Sequence, residues 1–267
     1  MTRITILVED SPVEGLRSEH GLSMLVEFEG GRILFDTGQS DAFIRNAATL
    51  GVSLDKLDAV IISHPHFDHA DGLRHLRATT PLYVSEEFFV PRYRIGNEKN
   101  IGACCNEEQL REQGFKLHTV SETTALPGEA IIVTGFHNPH PLEREPSPFA
   151  FDPPGIQPDT FPGELMLAIP VVGGYAVLGG CCHAGVIGML ERCRRALDAP
   201  IRHFIGGMHL LHADEERVRT TGMAMGNQQL ESLWIGHCTG KKAVATIEKM
   251  LNIPVHRLRS GLEILLT

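Results

Sequence analysis

The sequence lacks any apolar run that approaches the ~20 residues needed to span a bilayer, so we expect no membrane-spanning segment. The apolar stretch at the amino end, over residues 2–8, is too short for a signal peptide and instead predicts a first strand. Six cysteines without a secretion signal predict free thiols. Together these absences predict a cytoplasmic protein.

Basic residues are also scarce, with 24 Lys and Arg against 33 Asp and Glu and a formal net charge of −9. No stripe dense in Lys or Arg is present, which argues against nucleic acid as a general partner. A local positive pocket for a small anionic substrate remains compatible with this balance. No G-x-G-x-x-G run follows the first predicted strand, which argues against a Rossmann-type nucleotide site. Nothing in the sequence indicates an oligomeric state.

A cluster of imidazole and carboxylate side chains follows a predicted strand at 57–62. Three histidines and two aspartates lie within eight residues. Such side chains are the ligands that zinc and similar divalent ions take in proteins. His64 and His66 are two residues apart in an extended segment, so their rings project to one side, whereas Asp68 and His69 lie on the turn into the next helix. The spacing predicts two metal ions about 3.5–4 Å apart, one for each pair.

A lone histidine at a strand end is usually a hydrogen-bonded surface residue, but chance rarely assembles an H-x-H-x-D-H run after a buried strand. This run resembles the signature of the metallo-β-lactamase-fold superfamily. Three other segments follow the order of that superfamily: ILFDTG at 33–38, GGCCH at 179–183 and GHCTG at 236–240. Within it, EHGLS at 19–23, CHAG at 182–185 and GGMHL at 206–210 are similar to a branch that includes the archaeal dihydropterin ribofuranosylaminobenzene-phosphate synthases. Many bacterial members of this branch are called metal-dependent hydrolases.

The resemblance implies the remaining ligands. One divalent ion would be held by His64, His66 and His183, and the other by Asp68, His69 and His237. Asp36 closes a predicted strand and would accept the spare ring N–H of a ligand histidine. Alternatively, Asp36 caps the turn or the helix predicted at 40–50.

One position departs from the superfamily pattern. A Gly-Asp pair usually occurs near residue 180, and its aspartate bridges the two metal ions, but this chain has Cys181 near that place. Cys181 or Cys182 could act as a thiolate ligand, although a small buried packing residue is the commoner role. We expect zinc, and this departure leaves manganese, iron and magnesium open.

Several other polar residues are predicted to face the substrate. His209 follows a strand predicted at 201–205, and we expect it to act as a general acid or base, or to bind substrate, rather than to ligate metal. Thr239 is predicted to cap a helix whose free N–H groups, with Lys241 and Lys242, form an anion-binding corner. Alternatively, these residues only cap and solvate that helix. The resemblance also places the loop of His20 near the cleft, as a substrate-side candidate.

Two further segments could shape the substrate site. Residues 139–163 contain eight prolines, too many for helix or sheet, and predict a long ordered loop or a flap. Residues 86–105 interleave aromatic and basic side chains, which would suit either a lid over a flat anionic substrate or an ordinary connection. His137 and His140 enter the proline-rich loop, and we leave both out of the predicted ligands.

Two strand-rich halves without a linker predict one domain over residues 1–267. The resemblance implies an α/β fold, the four-layer αββα sandwich. The expected function is that of a dinuclear metal-dependent hydrolase, in which a metal-activated water, oriented by Asp68, attacks a small, phosphate-bearing substrate. The alternative is a transferase that condenses dihydropterin-6-methyl diphosphate with ribofuranosylaminobenzene 5'-phosphate. A non-catalytic metal-binding protein is a third hypothesis, and β-lactam hydrolysis is not expected.

Overall fold

A computed structural model describes residues 1–143 and 146–267 of the chain. Within these residues it contains sixteen strands and six α-helices. The strands are β1 (Thr2–Val8), β2 (Ser23–Phe28), β3 (Gly31–Phe35), β4 (Ala59–Ile61), β5 (Pro81–Ser85), β6 (Tyr93–Arg94), β7 (Lys116–Val120), β8 (Thr124–Ala125), β9 (Ile131–Val133), β10 (Phe149–Ala150), β11 (Met166–Val171), β12 (Gly174–Leu178), β13 (Ile201–Gly206), β14 (Ser232–Ile235), β15 (Val255–Arg257) and β16 (Glu263–Leu266). The helices are α1 (Ala42–Thr49), α2 (Phe67–Ala70), α3 (Glu107–Glu112), α4 (Val186–Leu197), α5 (Glu215–Gly226) and α6 (Lys241–Met250).

Most strands belong to two seven-stranded mixed sheets. The first sheet has the order β16-β1-β2-β3-β4-β5-β7, and the second has the order β15-β14-β13-β12-β11-β9-β8. In each sheet antiparallel hairpins are followed by parallel strands, as in the pairs β2–β3 and β3–β4 or β11–β12 and β12–β13. The strands β6 and β10 form a separate two-stranded sheet, which joins the 86–105 segment to the proline-rich loop.

The two large sheets pack face to face around a shared apolar core. Ile4 and Ile6 of β1 contribute to this core from the first sheet, and Leu167 and Ile169 of β11 contribute from the second. Each pair is spaced by two residues because alternate side chains of a strand face the same side. All four side chains are fully buried, so the inner faces of both sheets are dry.

Helices cover the outer faces of both sheets. Phe43 of α1 packs with Leu34 of β3 on the outside of the first sheet. On the outside of the second sheet, Leu190 of α4 and Ile247 of α6 pack with Val177 of β12. The resulting order of helix, sheet, sheet and helix confirms the predicted αββα sandwich.

After the H-x-H-x-D-H run the sequence also predicts a helix at about 71–78, and this prediction is wrong in form. The chain instead makes the single turn of α2 and a 3₁₀ turn over Asp71–His75. Gly72 explains the difference, because its N–H donates to Gly38 O and a Cβ at this position would lie 2.1 Å from Thr37 O. The short strands β6, β8, β10 and β15, of two or three residues each, were not predicted.

The sequence predicted free cysteine thiols and no membrane-spanning segment. All six cysteine thiols are free. Across the two described ranges, no helix combines the length and the apolar character needed to cross a membrane.

Candidate metal centre

The predicted ligands meet at one edge of the sandwich. His64, His66, Asp68 and His69 lie just beyond β4, His183 lies beyond β12 and His237 lies beyond β14. The carboxyl ends of β4, β12 and β14 therefore supply side chains from both sheets to one place. Each ligand-bearing segment follows an apolar strand, and the end of that strand determines where the polar loop begins.

The first group is the histidine cluster, formed by His64, His66 and His183. Nε2 of His183 lies 3.2 Å from Nε2 of His64. Nε2 of His66 is buried and has no hydrogen-bond partner among the described residues. Desolvation lowers the pKa of all three rings, for His66 to about 3. The cluster therefore favours neutral imidazoles, the form that binds a metal ion.

The second group is the mixed cluster, formed by Asp68, His69, Cys181 and His237, all buried. Nε2 of His69 lies 3.1 Å from Nε2 of His237. Asp68 Oδ2 lies 3.4 Å from the first of these nitrogens and 3.3 Å from the second. Cys181 Sγ lies 3.3 Å from His69 Nε2. Four potential ligand atoms thus converge on one point.

Two carboxylates orient the rings of the mixed cluster. Asp36 Oδ2 lies 2.7 Å from His69 Nδ1, and Asp10 Oδ1 lies 2.6 Å from His237 Nδ1. If each carboxylate accepts an Nδ1–H, the two Nε2 lone pairs face each other and require a positive charge between them. Burial lowers the pKa of His69, but Asp36 and Asp68 outweigh it and raise this pKa to about 9.

The electrostatics of His237 and Asp68 agree with this need for a cation. Burial lowers the pKa of His237, but hydrogen bonds to Asp10 and Asp68 outweigh it and raise the pKa. Burial raises the pKa of Asp68, but His69 and His237 outweigh it and hold the pKa well below its usual range. An ionised carboxylate buried between two imidazoles is a favourable site for positive charge.

The donor atoms fit divalent metal ions. A tetrahedral zinc site with bonds of 2.0–2.1 Å has ligand atoms about 3.3–3.4 Å apart. The separations of 3.2 Å in the histidine cluster and 3.1–3.4 Å in the mixed cluster are close to that spacing. The rings of His64 and His69 have centroids 4.2 Å apart, so the two clusters adjoin. These residues could therefore hold divalent metal ions.

Asp36 and Ser63 connect the two clusters. Ser63 donates its N–H to Asp36 Oδ1 at 2.7 Å and its hydroxyl to Asp36 Oδ2 at 2.8 Å. The Ser63 hydroxyl oxygen also lies 2.9 Å from His64 Nδ1. Asp36 therefore contacts one ring directly and the other through Ser63. Asp36 does not cap α1, whose N-cap residue is Asp41.

His20 lies at the exposed rim of the mixed cluster. Its Nδ1 lies 2.8 Å from Asp10 Oδ2, and its Nε2 lies 3.3 Å from Asp68 Oδ2. About half of the His20 side chain is exposed. The predicted substrate-side residue thus borders the site beside Asp68.

A cavity of about 520 Å³ opens beside His237, and Thr239, Lys241 and Lys242 also line it. The predicted N-cap role of Thr239 is wrong, because Gly240 is the N-cap of α6 and the Thr239 hydroxyl accepts the N–H of Met208. The turn over His237–Thr239 buries Thr239, so its hydroxyl faces the protein interior. The first N–H groups of α6 and the exposed Lys241 still border the cavity.

His209 and two phenylalanines surround the histidine cluster. The rings of His209 and His183 have centroids 4.2 Å apart, and His209 Nδ1 is buried without a hydrogen-bond partner among the described residues. Phe161 stacks on His183 with ring centroids 4.1 Å apart, and the rings of Phe149 and His66 have centroids 4.8 Å apart. The proline-rich loop thus supplies an aromatic wall, formed by Phe149 and Phe161, to the site.

A buried ion pair stands behind this wall. Nε of Arg92 donates to Oδ2 of Asp159, and Oδ1 of Asp159 accepts the N–H of Phe161 at 2.8 Å. Arg92 is 2% exposed and Asp159 is fully buried. The segment 86–105 is therefore anchored to the proline-rich loop, and neither residue was predicted for the site.

Comparison with known proteins supports the interpretation of this edge as a metal centre. A model of the metallo-β-lactamase superfamily matches residues 17–87. The crystal structure of Tm1679, described as a metal-dependent hydrolase of the β-lactamase superfamily, aligns over 100% of both chains with a TM-score of 0.87 and 28% identity. The chain thus resembles the metallo-β-lactamase superfamily in local sequence and in fold. The family resemblance seen in the sequence is thereby confirmed.

Two similar proteins are named for different activities. The 7,8-dihydropterin-6-methyl-4-(β-D-ribofuranosyl)-aminobenzene-5'-phosphate synthase of Methanocaldococcus jannaschii is 26% identical over 91% of this chain and 89% of its own length. The ribonuclease Z of Methanopyrus kandleri is 42% identical, but only over 31% of this chain and 28% of its own length. The first similarity covers about nine-tenths of both sequences, whereas the second is local.

Proposed function

We propose that the chain is a metal-dependent hydrolase of a small, phosphate-bearing substrate. The observation that carries this proposal is the adjacency of the histidine cluster and the mixed cluster at one open edge of the sandwich, beside a cavity bordered by Lys241. We assign His64, His66 and His183 to one divalent ion, and Asp68, His69 and His237 to a second. Zinc is the expected metal, because imidazole and carboxylate are among its preferred ligands.

Divalent ions held by these residues would supply Lewis-acid activation of a water molecule and of a substrate oxygen. The remaining steps belong to protein side chains. The Asp68 carboxylate, with His20 Nε2 3.3 Å from its Oδ2, would orient the attacking water. His209 borders His183 and would donate a proton to the leaving group.

Phosphate recognition is assigned to the corner at the start of α6. The first N–H groups of a helix have no partner within the helix and attract anions. Lys241 adds a positive charge at the same place, beside His237 and the cavity. Thr239 would position this corner rather than contact the phosphate, because its hydroxyl accepts the N–H of Met208 and so holds the residues before α6 in place. A phosphate group bound here would lie next to the mixed cluster.

The second candidate function is the dihydropterin-forming transferase. It is favoured by the M. jannaschii synthase, which is similar to this chain over about nine-tenths of both sequences. In that reaction a diphosphate would leave a pterin methyl group, and an aromatic amino-sugar phosphate would take its place. Both reactions need a Lewis acid beside an anion pocket, so the same residues serve either.

The first experiment is elemental analysis of the purified wild type and of His64→Ala and His237→Ala, with the exposed His212→Ala as control. We expect two metal equivalents in the wild type and in the control, and the loss of a different equivalent in each of the other variants. Wild type that stays metal-free after addition of zinc, manganese or magnesium would overturn the proposed site.

A second experiment separates the two reactions. The metal-loaded protein is incubated with dihydropterin-6-methyl diphosphate, with and without ribofuranosylaminobenzene 5'-phosphate. Diphosphate release that requires the second compound supports the transferase. Release without it, or turnover of simple phosphate esters, supports the hydrolase. Absence of turnover with metal fully loaded would favour a non-catalytic metal-binding protein.

A further inference from the structure

Cys181 occupies a position between the two clusters. Its Sγ belongs to the mixed cluster with Asp68, His69 and His237, and its ligand atom also lies within 4.8 Å of those of His183 and His209. The residue is 3% exposed, so water does not compete strongly for the sulfur. One sulfur atom therefore faces ligands that we assign to both metal ions.

The backbone holds this sulfur in place. Cys181 follows Gly179 and Gly180, whose backbone groups bond to the end of β13: Gly179 donates to Ile205 O, and Gly180 O accepts from Gly207. The approach is tight, because a Cβ on Gly180 would lie 2.1 Å from the Ser63 hydroxyl oxygen. The position of Cys181 is thus determined by close contact with the loop that carries the histidine cluster.

A packing role explains Cys182 but not Cys181. Cys182 belongs to the apolar core beneath α4, together with Met166 and Leu190. Cys181 belongs to none of the three apolar clusters found among the described residues. Two neighbouring cysteines, both buried, therefore have different surroundings, and only one of them meets polar ligand atoms.

We propose that Cys181 is a thiolate ligand shared by the two metal ions, which rests on the metal centre of the proposed function. The thiol would lose its proton to solvent as the sulfur–metal bonds form, and its lone pairs would reach both ions. Thiolate is a soft ligand, so a centre of this composition favours zinc, cobalt or iron over magnesium. Cys181 would thereby fill the place at which the superfamily usually has a bridging carboxylate.

Cobalt(II) provides a readout that does not depend on activity. Metal-free protein is loaded with cobalt under reducing, oxygen-free conditions, and the near-ultraviolet absorption is recorded as cobalt is added. We expect a sulfur-to-cobalt charge-transfer band in the wild type and in the matched control Cys182→Ser, and its loss in Cys181→Ser. Cys181→Asp is expected to lose the band but to keep two cobalt equivalents, because a carboxylate can bridge.

The outcomes separate this inference from the metal centre itself. Two bound cobalt equivalents without the band in the wild type would overturn the role of Cys181 and leave the centre standing. Cys238 is a second buried thiol at this place, because its Sγ donates to Cys181 O at 3.5 Å. A band that persists in Cys181→Ser but disappears in Cys238→Ser would assign the sulfur to Cys238 and likewise overturn the proposal. Failure of the wild type to bind cobalt at all would overturn both proposals. Circular dichroism of each variant verifies that a lost band does not reflect unfolding.

Discussion

The carboxylate of Asp10 lies 2.6 Å from Nδ1 of His237, although the two residues are 227 positions apart in the chain. The same carboxylate contacts Nδ1 of His20 at 2.8 Å. Burial raises the pKa of Asp10, but the hydrogen bonds to His20 and His237 outweigh it and hold this pKa well below its usual range. Asp10 therefore stays ionised and fixes the orientation of both rings at the edge of the mixed cluster.

Asp10→Ala should weaken metal binding without removing a ligand. Mutation of a residue that orients a ligating histidine typically lowers metal affinity by about 10–100-fold, so we expect the zinc affinity of Asp10→Ala to fall by about that factor. The measurement is zinc competition against a chromophoric chelator. Asp41→Ala, at the start of α1, is the control and should bind zinc as the wild type does. An unchanged affinity in Asp10→Ala would contradict the orienting role.

The Arg92–Asp159 pair should matter for stability because both partners are buried. Removal of one partner of such a pair leaves an uncompensated charge, and this costs about 3–5 kcal/mol. We expect Arg92→Met to lower the Tm by roughly 6–20 °C. The double variant Arg92→Met/Asp159→Asn should recover part of that loss, because no buried charge remains unpaired. Equal melting temperatures for Arg92→Met and wild type would show that the ion pair does not stabilise the fold.

Lys241→Ala should weaken the binding of inorganic phosphate to the metal-loaded protein. Loss of one charged hydrogen bond predicts an increase of about tenfold in the dissociation constant, and the effect should shrink at high salt. Lys249→Ala, in the last turn of the same helix, is the matched control. Isothermal titration at two salt concentrations checks this prediction. Equal weakening in both lysine variants would point to net charge rather than to the corner at the start of α6.

Glu143, which is not one of the assigned metal ligands, predicts a pH dependence of stability. Burial raises the pKa of this carboxyl group above its ordinary value of 4.5, and it accepts the N–H groups of Ile187 and Gly188. The ordinary value applies to the unfolded chain and the raised value to the folded chain. At a pH between the two, Glu143 is protonated in the folded chain but has lost its proton in the unfolded chain. The contribution of Glu143 to stability is therefore full below pH 4.5 and declines as the pH rises through the folded-state pKa.

The test compares Glu143→Gln with the wild type from about pH 4 to 8 by thermal unfolding. The variant lacks the titration, so its stability relative to the wild type should increase with pH, whatever constant cost the lost charge brings. Glu14→Gln, at an exposed position, should keep a constant difference from the wild type. A difference that does not vary with pH for Glu143→Gln would rule out the titration.

Local patterns in the sequence predicted much of the fold. The apolar strands at 57–62 and 201–205 and the polar residues after them predicted approximately where β4 and β13 end, because a buried strand and a polar loop differ sharply in composition. Gly72 was less predictable, since its close approach to Thr37 depends on a strand distant in sequence. The N-cap role predicted for Thr239 failed for the same reason, because its hydroxyl turns inward to Met208, which lies 31 positions away.

The site was predictable only in part. The H-x-H-x-D-H run is local and strong, so its four ligand candidates could be named from the sequence. Asp10 carries no motif, and its role arises only when β1 and β14 bring it to His237. Arg92, Asp159 and the phenylalanines of the aromatic wall lie in irregular segments, where the spacing of residues does not determine which side chains meet.

The pairing of β1 with β16 has a consequence for synthesis of the chain. Ile4 is paired with Ile264, so the first sheet receives its edge strand only after residues 263–266 have left the ribosome. Until then the outer edge of β1 exposes unpaired backbone groups, which can join the same edge of another nascent copy. The amino-terminal half therefore cannot complete its sheet until β16 has been synthesised, so assembly of the first sheet is a late step in folding.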